Sequence, residues 1–315
     1  MKTQLAAALV EGQRVDTVFS IRARELRSTR HGEAYLALEL ADRSGIVPGV
    51  MFKPPRTAEG IPAGTVVRVS GVVTSFRGVR RISVEEMRIA EDYDVGDLLP
   101  RSTREASEAV QQLRELVKAI RDPAIATVVK AVFADKRFFR AFSRSPASVA
   151  DHHAYVGGLL DHTVAVASVC EAYAGVCPGL DRDLLVAGAL LHDIGVVDAI
   201  RVGAGFELTR EGRLLGHAVL GERRLTQAST GIRPEIAAHL SHLVLSHHRD
   251  GEQSAPHPCT LEALVLSHID AADRDADSFS AALTGAMRVE EEWTDSSNRF
   301  GRPLYAAATE RLRTA

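Results

Sequence analysis

Cysteine is scarce in this chain: Cys170, Cys177 and Cys259 form an odd set without Cys-x-x-Cys spacing. That excludes a disulfide framework and a cysteine zinc site, and leaves buried or free thiols. Long apolar runs are missing as well. The run over 184–197 is short and broken by His192-Asp193, so nothing spans a bilayer and no membrane partner is expected. The apolar Leu5-Ala6-Ala7-Ala8-Leu9-Val10 is followed at once by Glu11-Gly12-Gln13-Arg14 with no cleavage site, which argues against a secretory leader and predicts a cytoplasmic protein. No internal repeat or low-complexity tract is present. Nor does one charge dominate: 38 Lys and Arg stand against 41 Asp and Glu, a net of −3. That near balance conceals an asymmetry, because residues 1–90 carry 14 basic against 9 acidic side chains and the rest 24 against 32. A basic front and an acidic remainder suit a polyanion held by one part and processed by the other.

What is present is 315 residues, 45% hydrophobic and 25% charged, enough for two globular domains with separate cores. The front part alternates as strands do. Val15-Asp16-Thr17-Val18-Phe19-Ser20-Ile21-Arg22 and Tyr35-Leu36-Ala37-Leu38-Glu39-Leu40 have period two, and the turn Asp42-Arg43-Ser44-Gly45 leads into Ile46-Val47 and Val50-Met51-Phe52. A long strand over 65–73, with Gly71 marking a bulge or bend, and Arg80-Arg81-Ile82-Ser83-Val84 after the turn Phe76-Arg77-Gly78 complete the set. Five strands without helical periodicity predict a small barrel over 1–92. The runs Leu38-Glu39-Leu40-Ala41-Asp42-Arg43-Ser44-Gly45 and Val67-Arg68-Val69-Ser70-Gly71-Val72-Val73 resemble strands of nucleic-acid-binding OB-folds. That resemblance implies a face where aromatics stack bases and basic side chains follow phosphates. Tyr35, Phe52 and Phe76 with Arg77, Arg80 and Arg81 are the candidates; equally, the aromatics could fill the barrel and the arginines be solvated.

After the acidic Glu91-Asp92-Tyr93-Asp94-Val95-Gly96-Asp97, the spacing of Ser102 to Glu105 fits a capping box and predicts a helix start. Val110, Leu113, Leu116, Val117 and Ile120 make one apolar stripe. A second helix from Pro123 carries Ile125, Val128, Val129, Val132 and Phe133, and both stripes read as packing surfaces. The basic-aromatic Lys136-Arg137-Phe138-Phe139-Arg140-Ala141-Phe142 reads as a helix anchored in a core, with substrate contact as the alternative. Together these predict a helical connector over 93–145.

Most informative is His192-Asp193, inside the apolar Leu184-Leu185-Val186-Ala187-Gly188-Ala189-Leu190-Leu191-His192-Asp193-Ile194-Gly195. A carboxylate there is costly to bury unless a cation compensates it. His162 lies upstream; His217, the pair His247-His248 and Asp270 lie downstream, each in a helical segment. Any one of these histidines alone could be a hydrogen-bonded core residue. As a set, imidazole nitrogens and carboxylate oxygens without thiolate suit Mn, Fe, Co or Zn, and a carboxylate shared by two ions suits hydrolysis.

The order H…HD…H…HH…D resembles the HD-domain metal-dependent phosphohydrolases. The resemblance implies an all-α HD-type domain over 146–290, followed by a C-terminal segment over 291–315. It also implies His162, His192, Asp193 and Asp270 as ligands of one metal, and Asp193 bridging to a second held by His217 and His247 or His248. His153 and whichever of His247 and His248 is not a ligand are the candidate proton donors. His239, His242 and His268 fall outside the pattern, and Asp161 reads as a solvated or supporting carboxylate. Gly157-Gly158 reads as a glycine pair inside a helix, and Phe206 to His217 as an extended excursion with a Glu211-Gly212 turn. With the barrel in front, the segments His152-His153-Ala154-Tyr155-Val156-Gly157-Gly158-Leu159-Leu160-Asp161-His162-Thr163 and Glu211-Gly212-Arg213-Leu214-Leu215-Gly216-His217 resemble the bacterial YhaM-type 3′-5′ exoribonucleases over nearly the whole chain.

That family implies a Mn-favouring nuclease acting on single-stranded RNA 3′ ends, with single-stranded DNA as a second substrate. One departure stands out. After His192-Asp193-Ile194-Gly195 such proteins commonly carry lysine, and here the residue is Val196. Two other functions stay open: an HD phosphohydrolase of nucleotides or cyclic dinucleotides with a regulatory barrel, and a non-catalytic RNA-binding adaptor. The sequence also leaves a homo-oligomer open.

Overall fold

A computed structural model describes residues 2–29, 32–76, 78–102, 104–248, 256–286, 292–294, 296 and 298–306. The chain divides into two compact units, one of residues 1–101 with 201–207 and one of 102–200 with 208–315. None of the described helices is long and apolar enough to cross a membrane.

In the first unit β1 (Arg14–Ser28), β2 (Ala34–Asp42), β3 (Gly45–Phe52), α1 (Arg56–Glu59), β4 (Val66–Phe76) and β5 (Val79–Ile89) follow in sequence, and the strands close a barrel in the order β1-β2-β3-β5-β4. The expected alternation fills it: Phe19, Ile21, Leu36, Leu40, Val67, Val69 and Ile82 are buried in one core. Two strands differ from expectation. β1 runs on to Ser28, and β3 is continuous through Pro48, which precedes the two residues, Gly49 and Val50, that pair with β5. The bulge falls at Gly71 as expected, where the β4–β5 register shifts and a Cβ would meet the Ser83 carbonyl oxygen at 2.2 Å.

The second unit is helical: α2 (Ala106–Ala119), α3 (Pro123–Ala134), α4 (Lys136–Phe142), α5 (Gly158–Ala174), α6 (Arg182–Leu191), α7 (Val196–Ala199), α8 (Arg210–Ala228), α9 (Pro234–Ser246) and α10 (Leu261–Ala286). Between α7 and α8 the chain forms a short hairpin, β6 (Ile200–Val202) and β7 (Phe206–Leu208), which accounts for the extended excursion; its residues 201–207 belong to the first unit. α3 starts at Pro123 as expected, with the Asp122 carboxylate accepting from the N–H groups of Ala124 and Ile125. The capping box does not form. α2 begins at Ala106 after Glu105 without a side-chain cap, and the Ser102 hydroxyl, ahead of the helix, accepts from the Arg104 N–H at 3.0 Å and donates to Asp161 at 2.5 Å. The α2 stripe is also less buried than expected: Leu113 and Ile120 are buried, whereas Val110, Leu116 and Val117 are half-exposed. The Gly157-Gly158 pair opens α5, Gly157 as its N-cap and Gly158 as its first residue, and does not interrupt it.

Candidate metal centre

α5, α6, α8, α9 and α10 each send a polar side chain inward. His162 comes from the first turns of α5; His192 caps α6 and Asp193 follows it; His217 lies in α8; His247 caps α9 with His248 after it; and Asp270 is in α10. All but His217 and His248 are buried. Close backbone packing brings α8 to the His192-Asp193 turn. A Cβ on Gly195 would lie 2.0 Å from the His217 carbonyl oxygen and 2.3 Å from the Gly221 nitrogen, so only glycine permits this crossing. The bend expected at Glu211-Gly212 lies elsewhere. Those residues are in the first turn of α8, capped by Thr209, and the chain kinks at Gly216, whose φ of 74° and ψ of 159° belong to glycine.

The side chains converge in two groups. His162 Nε2 is 3.1 Å from His192 Nε2 and 3.2 Å from Asp270 Oδ1, and both imidazoles lie 3.6 Å from Asp193 Oδ2. On the other side Asp193 Oδ1 is 3.2 Å from His217 Nε2 and 3.4 Å from His247 Nε2, and His217 Nε2 lies 3.2 Å from His247 Nε2 and 3.0 Å from His248 Nε2. One carboxylate thus turns one oxygen to each group.

The far nitrogens fix which atoms face inward. His192 Nδ1 meets the Ala189 carbonyl at 2.8 Å, His247 Nδ1 the Val244 carbonyl at 2.7 Å, and His162 Nδ1 Asp273 Oδ2 at 2.7 Å. Each acceptor takes the Nδ1 proton, so the Nε2 atoms are the ones turned toward one another and left to meet an ion. Among the described residues, Asp193 Oδ1 and both Asp270 oxygens are buried without a hydrogen bond. Buried carboxylate oxygens without hydrogen bonds call for positive charge among them, and the donor set of imidazole nitrogens and carboxylate oxygens fits divalent ions. The titration behaviour agrees. Burial pushes His192 down to about 4, keeping its ring neutral, and burial with the neighbouring His247 and His217 pushes His248 down to about 2. His162 goes the other way: against the effect of burial, the carboxylates of Asp270 and Asp273 push it up to about 10. Those carboxylates demand positive charge, which a divalent ion supplies.

Three contributors were not anticipated. Asp273 Oδ2 meets both His162 Nδ1 and, at 2.8 Å, His153 Nε2. The Arg274 guanidinium lies 3.3 Å from Asp270 Oδ2. Tyr155 donates to Asp161 at 3.1 Å and meets His153 Nδ1 at 2.9 Å. The only signal was spacing: Asp273 and Arg274 follow Asp270 by three and four positions and share its face of α10. Both ring nitrogens of His153, a candidate proton donor, thus meet protein groups, Nδ1 the Tyr155 hydroxyl and Nε2 the Asp273 carboxylate. Asp161, read as a solvated or supporting carboxylate, accepts from the Ser102 and Tyr155 hydroxyls, and the His242 ring accepts from the Cys259 N–H at 2.9 Å. Val196 is 2% exposed at the start of α7 and packs in the apolar interior.

On the barrel, Tyr35 and Phe52 form a tilted ring pair with centroids 5.9 Å apart, Phe52 being 49% exposed. Phe76 is also exposed, and the Arg81 guanidinium covers its ring at 4.5 Å. Arg80 donates to the Leu9 carbonyl and so ties β5 to the N-terminal segment. Arg77 lies outside the described residues.

The family described as HD domain matches residues 159–275, and that described as OB-fold nucleic acid binding domain matches residues 17–90. The 3′-5′ exoribonuclease YhaM of Bacillus velezensis is 31% identical over 279 residues, 86% of this chain and 88% of that protein. The one from Bacillus subtilis is 30% identical over 279 residues, with 86% and 88% covered. That of Geobacillus sp. is 29% identical over 307 residues, 94% of each.

Proposed function

The chain belongs to the family of YhaM 3′-5′ exoribonucleases, and from that premise we propose that it removes nucleotides from the 3′ ends of single-stranded RNA by metal-dependent phosphodiester hydrolysis, with single-stranded DNA as a second substrate. The observation that carries this reading is the division of the Asp193 oxygens between two groups of imidazoles. In the proposed assignment His162, His192, Asp193 and Asp270 hold one divalent ion, and Asp193, His217, His247 and His248 hold a second. Manganese is favoured among Mn, Fe, Co and Zn. When bound, such ions polarise the scissile phosphate and lower the pKa of the attacking water.

The chain's own residues supply the frame. Asp193 fixes the spacing of the two groups, and Asp273 holds the His162 ring with its Nε2 inward. Arg274 offsets part of the carboxylate charge beside Asp270. The barrel, through Tyr35, Phe52 and Phe76, is proposed to hold the strand. Labelled RNA tests the polarity. With Mn²⁺, 3′-labelled strands should release labelled mononucleotide at once while 5′-labelled strands shorten progressively, and chelator should stop both. Internal cuts from the start, or persistence in chelator, would overturn the reading.

A further inference from the structure

α2, α3 and α4 enclose a groove of about 720 Å³. Its floor is apolar: Leu113 and Val117 of α2 and the rings of Phe133 and Phe139, which meet edge to face with centroids 6.3 Å apart. The basic-aromatic segment splits its aromatics by role. Phe138 and Phe142 are buried, whereas Phe139 is half-exposed and faces the groove. The rim carries one sign of charge. Arg114 and Lys118 stand one turn apart on α2, Lys130 on α3, and Lys136 and Arg140 on α4. No acidic residue lines the groove, and among the described residues no carboxylate lies within ion-pair distance of these five cations.

This cluster departs from its surroundings. Residues 91–315 have 24 basic against 32 acidic side chains, yet five cations gather here with no acid among them. A folding core explains buried Phe138 and Phe142, but it gives no reason for an apolar cleft to stay open beneath five unpaired cations. An occupant with flat apolar groups and a negative charge at regular intervals satisfies both, and the cleft lies within the ~300–1,000 Å³ range of sites that enclose small organic groups. We propose that the α2–α4 groove is a second binding site for single-stranded RNA, taking one or two bases against Phe139 and Phe133 and their phosphates on the rim. The proposal rests on the exoribonuclease reading for the identity of the polyanion, and it adds a contact surface to the barrel and the metal centre.

The test uses the full chain in chelator, where RNA is not consumed, and a 20-nucleotide oligouridylate. Kd is measured by fluorescence anisotropy over a range of salt concentrations for wild type, Lys118→Glu/Lys130→Glu/Arg140→Glu and Phe139→Ala. Each phosphate contact on a single strand contributes about 0.7 to the slope of log Kd against log salt, so the triple variant should flatten it by about 2 and weaken binding at least tenfold at low salt. Phe139→Ala should weaken binding several-fold with an unchanged slope, because stacking releases no counterions. Thermal melts check folding, and if the charge-reversed protein is unfolded the Lys118→Gln/Lys130→Gln/Arg140→Gln variant should show the same flattening. Wild-type Kd and slope in a folded charge variant would overturn the groove. So would a Phe139→Ala variant with wild-type affinity, since the rim would then be an unspecific anion surface. Failure of the wild type to shorten RNA with Mn²⁺ would instead overturn the exoribonuclease reading, whatever these variants do.

Discussion

Asp193 is the residue on which the centre turns. Asp193→Asn keeps volume and hydrogen-bonding capacity but removes the charge that both imidazole groups face. The variant should fold, bind fewer divalent ions per chain than wild type, and lose activity by more than about 100-fold, the upper end of what loss of a supporting group costs. Elemental analysis together with turnover checks it, and wild-type values in both would contradict the assignment. Asp273→Asn is a finer probe, since it leaves the ligands in place but loosens the His162 ring; metal affinity should fall about 10–100-fold. His162 also sets a pH dependence. Its pKa is raised to about 10 without metal, so at pH 7–8 the metal-free protein carries a proton there that ligation must displace. Metal binding should therefore release about one proton and tighten as pH rises toward that value. Calorimetry in buffers of different ionisation enthalpy measures it, and no proton release would contradict it. The converging histidines and aspartates were legible in the sequence because each ends an apolar run where a bare histidine or aspartate is out of place. Asp273 was not legible: among Asp270, Arg274, Asp275 and Asp277 it reads as one more charge on a solvated helix, and only the packing of α10 against α5 brings it to His162.

At the scale of elements, the barrel was readable from period-two alternation, because a strand with one face in a core cannot hide that pattern. Local signals failed where distant parts of the chain engage the same residue. Ser102 had the spacing of a helix cap, but α2 starts only at Ala106, and the Ser102 hydroxyl accepts from the Arg104 N–H and donates to Asp161, 59 positions away. The kink at Gly216 was hidden for a similar reason, since φ and ψ of one glycine follow from where α8 must cross the His192-Asp193 turn. Gly195→Ala tests that crossing. The added methyl cannot fit at 2.0 Å from the His217 carbonyl oxygen, so α8 must move away, at a cost of about 1–3 kcal/mol or more in stability. The melting temperature and metal content should fall together; a full metal complement at wild-type stability would contradict the account. Phe52→Ala probes the barrel instead. Because the ring is 49% exposed, stability should hardly change, while single-strand binding should weaken by about 1–3 kcal/mol if a base stacks there.

For the whole molecule, the charge asymmetry and the two-part architecture were visible in composition and pattern, whereas the groove on α2–α4 was not, since its stripes look like ordinary helix-packing surfaces until the helices are assembled. The central claim joins these scales: a strand is held outside the metal centre and its free 3′ end is what enters. Circular and linear forms of one single-stranded RNA, incubated with the full chain and Mn²⁺, test it most directly. The linear form should shorten stepwise to mononucleotides while the circle stays intact over the same time. Degradation of the circle at the rate of the linear strand would contradict it.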